Sequence, residues 1–423
     1  MNKFLQIFKI PDLRKKIFIV VFLLLVFRLL AAIPTPGIDA DRLKGLLDSS
    51  QLLGFFNIFS GGSLANLSIM MLGVSPYITA TIIMQLLTMI FPKLKTLYYE
   101  EGNAGRAKFN RYSRYITVPL AALQGYGFLN LLISQQVLPP LPGLDMLRNV
   151  LVITAGSMIL MWLGELMSEQ KIGNGISLII FAGIVSGLPQ IVRSLVVSYD
   201  PTNVPVYVAF AILSVIITAC VVFINEGERK IPVSYAKRIR GSRMYGGSSS
   251  YLPLKVNQAG VIPIIFAISI LLFPQFFAQI ASAVSPGFGA TLNDWVNRIF
   301  SNQVIYGLIY FVLVVVFTYF YTAVTFDPKE IAKNLQRSGG FVPGIRPGDP
   351  TGEFLQKVIY RITLFGALFL GVVAVLPNIT QILTGIQTLS IGGTALLIVI
   401  AVALEVMRQI DSQLVIREYE GIQ

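Results

Sequence analysis

Apolar runs of about 18 residues or more, each long enough to cross a hydrocarbon core about 30 Å thick, recur along the whole chain. Ten stand out, at 17–33, 68–91, 115–134, 150–167, 177–195, 206–224, 259–281, 304–325, 358–376 and 384–407. A helix satisfies its backbone hydrogen bonds internally, whereas an unclosed sheet in lipid does not. The pattern therefore predicts an all-α membrane protein with ten transmembrane helices. A polar stretch around Ser198–Pro205 divides the runs five and five, into halves 1–200 and 201–423. An odd number of crossings per half turns the second half upside down relative to the first, which is the arithmetic of an inverted-topology repeat with a pathway at the seam.

Three segments between the runs are unlike ordinary connectors. Residues 52–66, LLGFFNIFSGGSLAN, are apolar but too short to span, and Gly61-Gly62 interrupts them. Two readings stand open: a re-entrant segment beside a cavity, or an interfacial helix on the outer surface. The polar loops at 225–257 and 326–357 are much longer than joining two helices requires. Their length favours a docking surface; their positive charge alone is also explained by membrane topology and contact with anionic lipid.

Charge placement then orients the chain. With the N-terminus inside, 27 of the 33 Lys and Arg fall on inner segments, counting Arg361 at the edge of its span, and five (Arg42, Lys44, Arg148, Arg193, Arg298) on outer ones. By the positive-inside rule both termini of this multi-pass chain are expected to be cytoplasmic. Arg14, Lys15 and Lys16 ahead of an apolar stretch ending in Ala31-Ala32 imitate a signal peptide, but nine further spans follow, so the segment is expected to stay as the first span.

Composition narrows the chemistry. Only 13% of residues are charged and 54% are hydrophobic, where a soluble domain would carry about a quarter charged. There is no histidine and one cysteine, Cys220, read as a small packing residue. The usual general base and the usual transition-metal ligand are thus missing, and no catalytic residue, metal or cofactor is expected. Ionisable groups within the runs are few: Arg28, able to snorkel outward, and Glu165 and Glu405 near inner ends, where a carboxylate reaches water. An inverted-repeat secondary transporter of a small solute would place such groups at midplane, so that alternative is disfavoured.

Motifs sharpen the reading. IPTPG at 33–37, FSGGSL at 59–64, GVSPYITATIIMQLL at 73–87 and WLGELMSEQKIGNGISLIIFAGIVSGLP at 162–189 come first. EGERKIPVSYAKR at 226–238, LPLKVNQAGVIPIIF at 252–266, GGFVPGIRPGDPT at 339–351 and GGTALLIV at 392–399 follow in order. In this series the chain resembles the SecY family, channel subunits of bacterial protein translocases, over essentially its full length.

The resemblance implies two five-helix halves closing as a clamshell around an hourglass pore. The pore ring would comprise Val74, Ile78, Ile180, Ile184, Ile265 and Ile398. Such a ring offers hydrated ions no hydrogen-bonding group and can dewet. Val74 stands where the family often has isoleucine, which widens the ring slightly. Residues 52–66 would be the plug, with Phe55, Phe56 and Phe59 as its apolar body and Gly61-Gly62 as a hinge. A lateral gate between spans 2 and 7, flanked by 3 and 8, would carry Ser75, Thr79, Gln124 and Asn257. Helix–helix glue is the plainer reading of those four polar residues. Arg238, Arg240, Arg243 and Arg346 would dock the SecA ATPase and the ribosome, with Ser242 replacing a basic residue common in the family. Implied partners are SecE and SecG membrane subunits, signal sequences, nascent polypeptides and membrane lipid.

Overall fold

The computed structural model describes residues 10–35, 57, 60–64, 67–134, 136, 138–197, 204–235, 238–240, 243–245, 249–384 and 387–420. Each of the ten predicted runs overlaps one helix. In chain order the elements begin with α1 (Pro11–Ala31), α2 (Ser75–Ile90), α3 (Pro92–Tyr99), α4 (Gly102–Ser134), α5 (Gly143–Glu169), α6 (Gly175–Val197) and α7 (Val204–Glu226). Strands β1 (Glu228–Tyr235), β2 (Arg238–Arg240), β3 (Arg243–Tyr245) and β4 (Ser249–Lys255) follow. Then come α8 (Ile262–Val284), α9 (Pro286–Ser301), α10 (Gln303–Thr325), α11 (Pro328–Arg337), β5 (Gly340–Phe341), α12 (Asp349–Thr384) and α13 (Gln387–Glu420). Among the described residues six helices have the length and hydropathy of a span, or seven if α2 and α3, bent by 112° where Pro92 follows Phe91, count as one. α7 shows why lipid must surround them: Ile212, Val215 and Phe223 are 57%, 70% and 77% exposed on a helix apolar all round. Cys220 stands exposed on that helix, so it is not the packing residue expected.

The second span begins later than its hydropathy suggests. Residues 67–74 form a succession of tight turns, closed by Met71 N–H to Ser68 O, Gly73 N–H to Met70 O and Ser75 N–H to Leu72 O. Gly73 adopts φ +59°, and Pro76 lies in the first turn of α2, where a missing N–H costs nothing. An apolar run that is buried in protein reads the same as one that spans. At the other side, α4 starts 13 residues before its apolar run and carries the basic segment Arg106–Arg114 as helix.

Two compact units emerge from the contacts. The first comprises Met1–Phe210, Ile268–Tyr306 and Pro377–Gln423. Within it α2 packs on α4, α4 on α5, α5 on α6, α6 on α13 and α1 on α5. Arg114 of α4 donates to Glu165 of α5 at 2.7 Å, so the carboxylate expected to seek water has a cationic partner instead. The second unit comprises Ala211–Ala267 and Gly307–Leu376.

That second unit holds both long loops, and they are folded, which amends an all-helical reading. β1 pairs antiparallel with β4 from Glu228↔Lys255 to Ser234↔Ser249. β5, from the other loop, adds to the far edge of β1 through Ser234↔Phe341 and Tyr235↔Gly340. Pro232 is tolerated because β5 does not reach it. Ile231, Leu254, Val342, Leu355, Val358 and Ile359 form one core beneath the sheet, joining both loops to the start of α12. α11 opens on an Asp327 cap, whose Oδ1 accepts from Lys329 and Glu330 N–H at 2.9 and 3.3 Å.

Leu355 is fully buried in that core. Leu355→Ala is expected to cost about 2–5 kcal/mol locally. Limited proteolysis of the purified protein checks this: cleavage within 225–257 and 326–357 should accelerate together, and acceleration at only one loop would disprove the shared core.

Candidate functional site

Backbone approach defines the site. Gly61 lies so near Gly183 of α6 that a Cβ on Gly183 would sit 2.2 Å from the Gly61 Cα. A Cβ on Gly61 would meet Phe27 Cζ at 2.5 Å. Gly61 also has φ +71° and Gly62 φ +77°, a region that L side chains avoid. Glycine at 61 is therefore required by space and conformation together.

Hydrogen bonds hold the segment there. Arg28 Nη1 donates to the Gly61 carbonyl at 2.7 Å, so this cation does not simply snorkel outward. Gly62 N–H donates to Asn57 O at 2.8 Å, and Leu64 N–H to Ser60 Oγ at 3.1 Å. Ser63 Oγ reaches Ser60 O and, at 2.9 Å, Met70 O. The chain returning to α2 is tied to the end of α1: Thr35 N–H donates to Leu67 O, Ile69 N–H to Ile33 O, and Ser68 Oγ to Leu30 O. Of the two readings left open for 52–66, irregular backbone buried in protein fits its described part: Ser60, Ser63 and Leu64 are at most 1% exposed. Phe55, Phe56 and Phe59 lie outside the described residues.

Gly183 stands between Ile180 and Ile184, so the seated segment abuts the turn of α6 that carries two ring candidates. Val74, at the N-cap of α2, accepts at its carbonyl from Ile78 N–H at 3.1 Å, which keeps both on one turn. Val74, Ile78, Ile180, Ile184 and Ile398 belong to the first unit and Ile265 to the second. All six are at most 5% exposed.

Of the gate candidates, three come together. Gln124 Nε2 donates to Thr79 Oγ1 at 3.4 Å, and Thr79 Oγ1 donates to Ser75 O at 3.0 Å. Asn257, in the second unit, precedes α8 rather than entering it. Its Nδ2 donates to Asn225 Oδ1 at 2.8 Å and Gly260 O at 3.2 Å. Two residues escaped sequence reasoning: Asn225 near the end of α7, whose Oδ1 accepts from Asn257, and Gly127 of α4. A Cβ on Gly127 would lie 3.3 Å from Phe276 O of α8, a close contact between the third and seventh spans that the lone glycine signalled only weakly.

The docking candidates sit on the folded loops. β2 and β3 form a ribbon in which Arg240 pairs with Arg243 and Arg238 with Tyr245. Arg346 is exposed, while its carbonyl accepts from the buried Thr351 hydroxyl at 2.8 Å. Gly344 at φ +82° and Gly348 at φ +100° shape the turn that presents it.

With this geometry in view, comparisons agree on one family. The SecY family model matches residues 68–407. The protein translocase subunit SecY of Mycobacterium tuberculosis is 42% identical, with 100% of this chain and 99% of the relative covered. That of Corynebacterium glutamicum is 43% identical, with 100% of both covered. Among solved structures, a protein-conducting channel is similar at TM-score 0.65 and 20% identity, covering 93% of this chain and 91% of that one. Sec61 of a canine ribosome–channel complex from the endoplasmic reticulum is similar at TM-score 0.61 and 18% identity, with the same coverage. The structures speak for the fold, the sequence relatives for descent: this chain is a multi-pass membrane protein that belongs to the SecY family.

Proposed function

We propose that the chain is a protein-conducting channel that moves unfolded secretory polypeptides across the bacterial cytoplasmic membrane and releases membrane segments sideways through a lateral gate. The observation that carries this reading is the seat of residues 60–64 against Gly183, beside Ile180 and Ile184. A plug seated next to an aliphatic ring closes a wide path to ions without offering them a binding group. The ring would comprise Val74, Ile78, Ile180, Ile184, Ile265 and Ile398, contributed by both inverted halves. A secondary transporter gains no support, since Glu165 is engaged by Arg114.

The chain would supply no chemistry. Energy would come from SecA on the cytoplasmic side or from the translating ribosome, docked on Arg238, Arg240, Arg243 and Arg346. SecE- and SecG-like subunits would complete the complex, and both termini would be cytoplasmic. The gate would be the seam carrying Ser75, Thr79, Gln124 and Asn257. A folded loop unit suits docking, because a partner's push on Arg346 passes through the sheet and its core into α12.

Proteoliposomes holding the chain, its SecE-like partner, SecA, ATP and a signal-bearing precursor test the channel reading. Precursor should become protease-protected only with SecA and ATP, and Arg346→Glu should reduce protection roughly tenfold or more by inverting a docking charge. Absence of protection from a folded, correctly oriented preparation would sink the reading. Full activity of Arg346→Glu would sink only the docking assignment.

The seat has its own test in planar bilayers. Gly183→Val cannot coexist with Gly61 in place, so resting ion conductance should rise severalfold. Gly187→Ala, one turn on with open space for a Cβ, should leave conductance unchanged. Equal, low conductance for both variants would show that the segment does not seal the path.

A further inference from the structure

We infer that α9 is an interfacial helix whose apolar stripe is embedded in the headgroup layer of the lipid bilayer. α9 joins α8 and α10, both long and apolar enough to span, so both its ends leave the membrane at the same surface. Crossing parity makes this the surface opposite to the loops that carry β1–β5, the outer one in the proposed orientation.

Its sequence has three faces. At 3.6 residues per turn, Phe288, Leu292, Trp295 and Ile299 fall within an arc of about 60°. Phe288 and Trp295 are 62% and 65% exposed, with Leu292 and Ile299 half-buried, so the protein leaves most of this stripe uncovered. Thr291, Asp294, Asn297 and Arg298 lie on the exposed polar side, and Val296 and Gly289 face the protein, both buried. Such a helix, with a tryptophan on its apolar face and charges on the other, suits the boundary between acyl chains and headgroups.

The polar contacts fix its depth. Asn293 Nδ2 donates to Ser282 Oγ of α8 at 2.7 Å, and Gln279 Nε2 donates to Asn293 Oδ1 at 3.4 Å. A Cβ on Gly289 would stand 2.1 Å from Ser282 Cα, so the two helices touch backbone to backbone. Phe300 packs on Tyr306 of α10, ring centroids 6.0 Å apart. With both ends held, α9 cannot tilt its stripe away from the bilayer without breaking these contacts. It thereby ties the end of α8 to the headgroup layer. This inference rests on the membrane reading and not on the channel reading, which precursor protection tests separately.

The chain has two tryptophans, Trp162 and Trp295, so Trp162→Phe isolates the signal of interest. The full-length variant is reconstituted in phosphatidylcholine vesicles brominated either near the headgroup end of the acyl chains or near their termini. Trp295 emission should be quenched roughly twofold more by the shallow bromines. The difference between the unsubstituted chain and Trp295→Phe gives the same readout should Trp162→Phe fold poorly. Stronger quenching by deep bromines would place the stripe inside the hydrocarbon core and overturn the proposal. Quenching by aqueous iodide without quenching by either lipid would place it in water, and quenching by neither would show protein covering it; each overturns it too.

Discussion

Two residues without side chains, Gly61 and Gly183, allow the arrangement on which the rest depends. Where they meet, an irregular segment and a spanning helix pack backbone against backbone. Irregular backbone at membrane depth is tolerable only if its polar groups find partners inside the protein. Here the Gly61 carbonyl accepts a hydrogen bond from the Arg28 guanidinium, and serines 60, 63 and 68 satisfy carbonyls and amides from Leu30 to Met70. A methyl group at Gly183 would push the segment off α6, and one at Gly61 would collide with Phe27 of α1; either would strand those partners.

The folded loops answer a different problem. In the proposed function a cytoplasmic partner would push on a channel whose spans lie in lipid and offer it little to hold. Pairing β5 onto β1 makes two loops, distant in sequence, one body, and the core from Ile231 to Ile359 continues into the first turns of α12. α12 is 36 residues long, about 54 Å, well beyond the hydrocarbon thickness. The helix therefore runs unbroken from the loop unit into the membrane.

The spans were legible because hydropathy over about 18 residues is a signal that packing does not blur. The proposed orientation rests on charge counted between those spans rather than on packing. Resemblance supplied the ring candidates, whose aliphatic chemistry is shared with every lipid-facing helix. What stayed hidden depended on partners far away in sequence. Residues 67–74 look like the start of a span, because burial in protein and burial in lipid select the same side chains. Ile231 and Val233 do alternate as a strand should, but eight residues with a central proline read as loop until Leu252 and Leu254 are placed opposite. Arg28 read as a snorkelling cation because nothing in its own helix names Gly61 as acceptor.

Magnitudes distinguish the two closures. Among the gate candidates the described contact between helices is one neutral bond, Gln124 to Thr79, at a long 3.4 Å. Such bonds between membrane helices contribute about 0.6 kcal/mol on average. Gln124 Oε1 and Asn257 Oδ1 are buried without a partner, and each such atom costs about 1–3 kcal/mol. If these residues form the proposed gate, their polar groups contribute little to holding it closed. Burying a single leucine side chain yields about 1.5–3 kcal/mol. One apolar helix entering the proposed seam would outweigh the Gln124–Thr79 bond several times over. The seat of Gly61 differs in kind, because its bond carries a full charge on the donor, worth about 1.5–3 kcal/mol, and its fit is steric. A channel for arbitrary sequences needs this inequality. As proposed, the gate would yield to any sufficiently apolar segment, while the seal against ions would not yield to thermal motion.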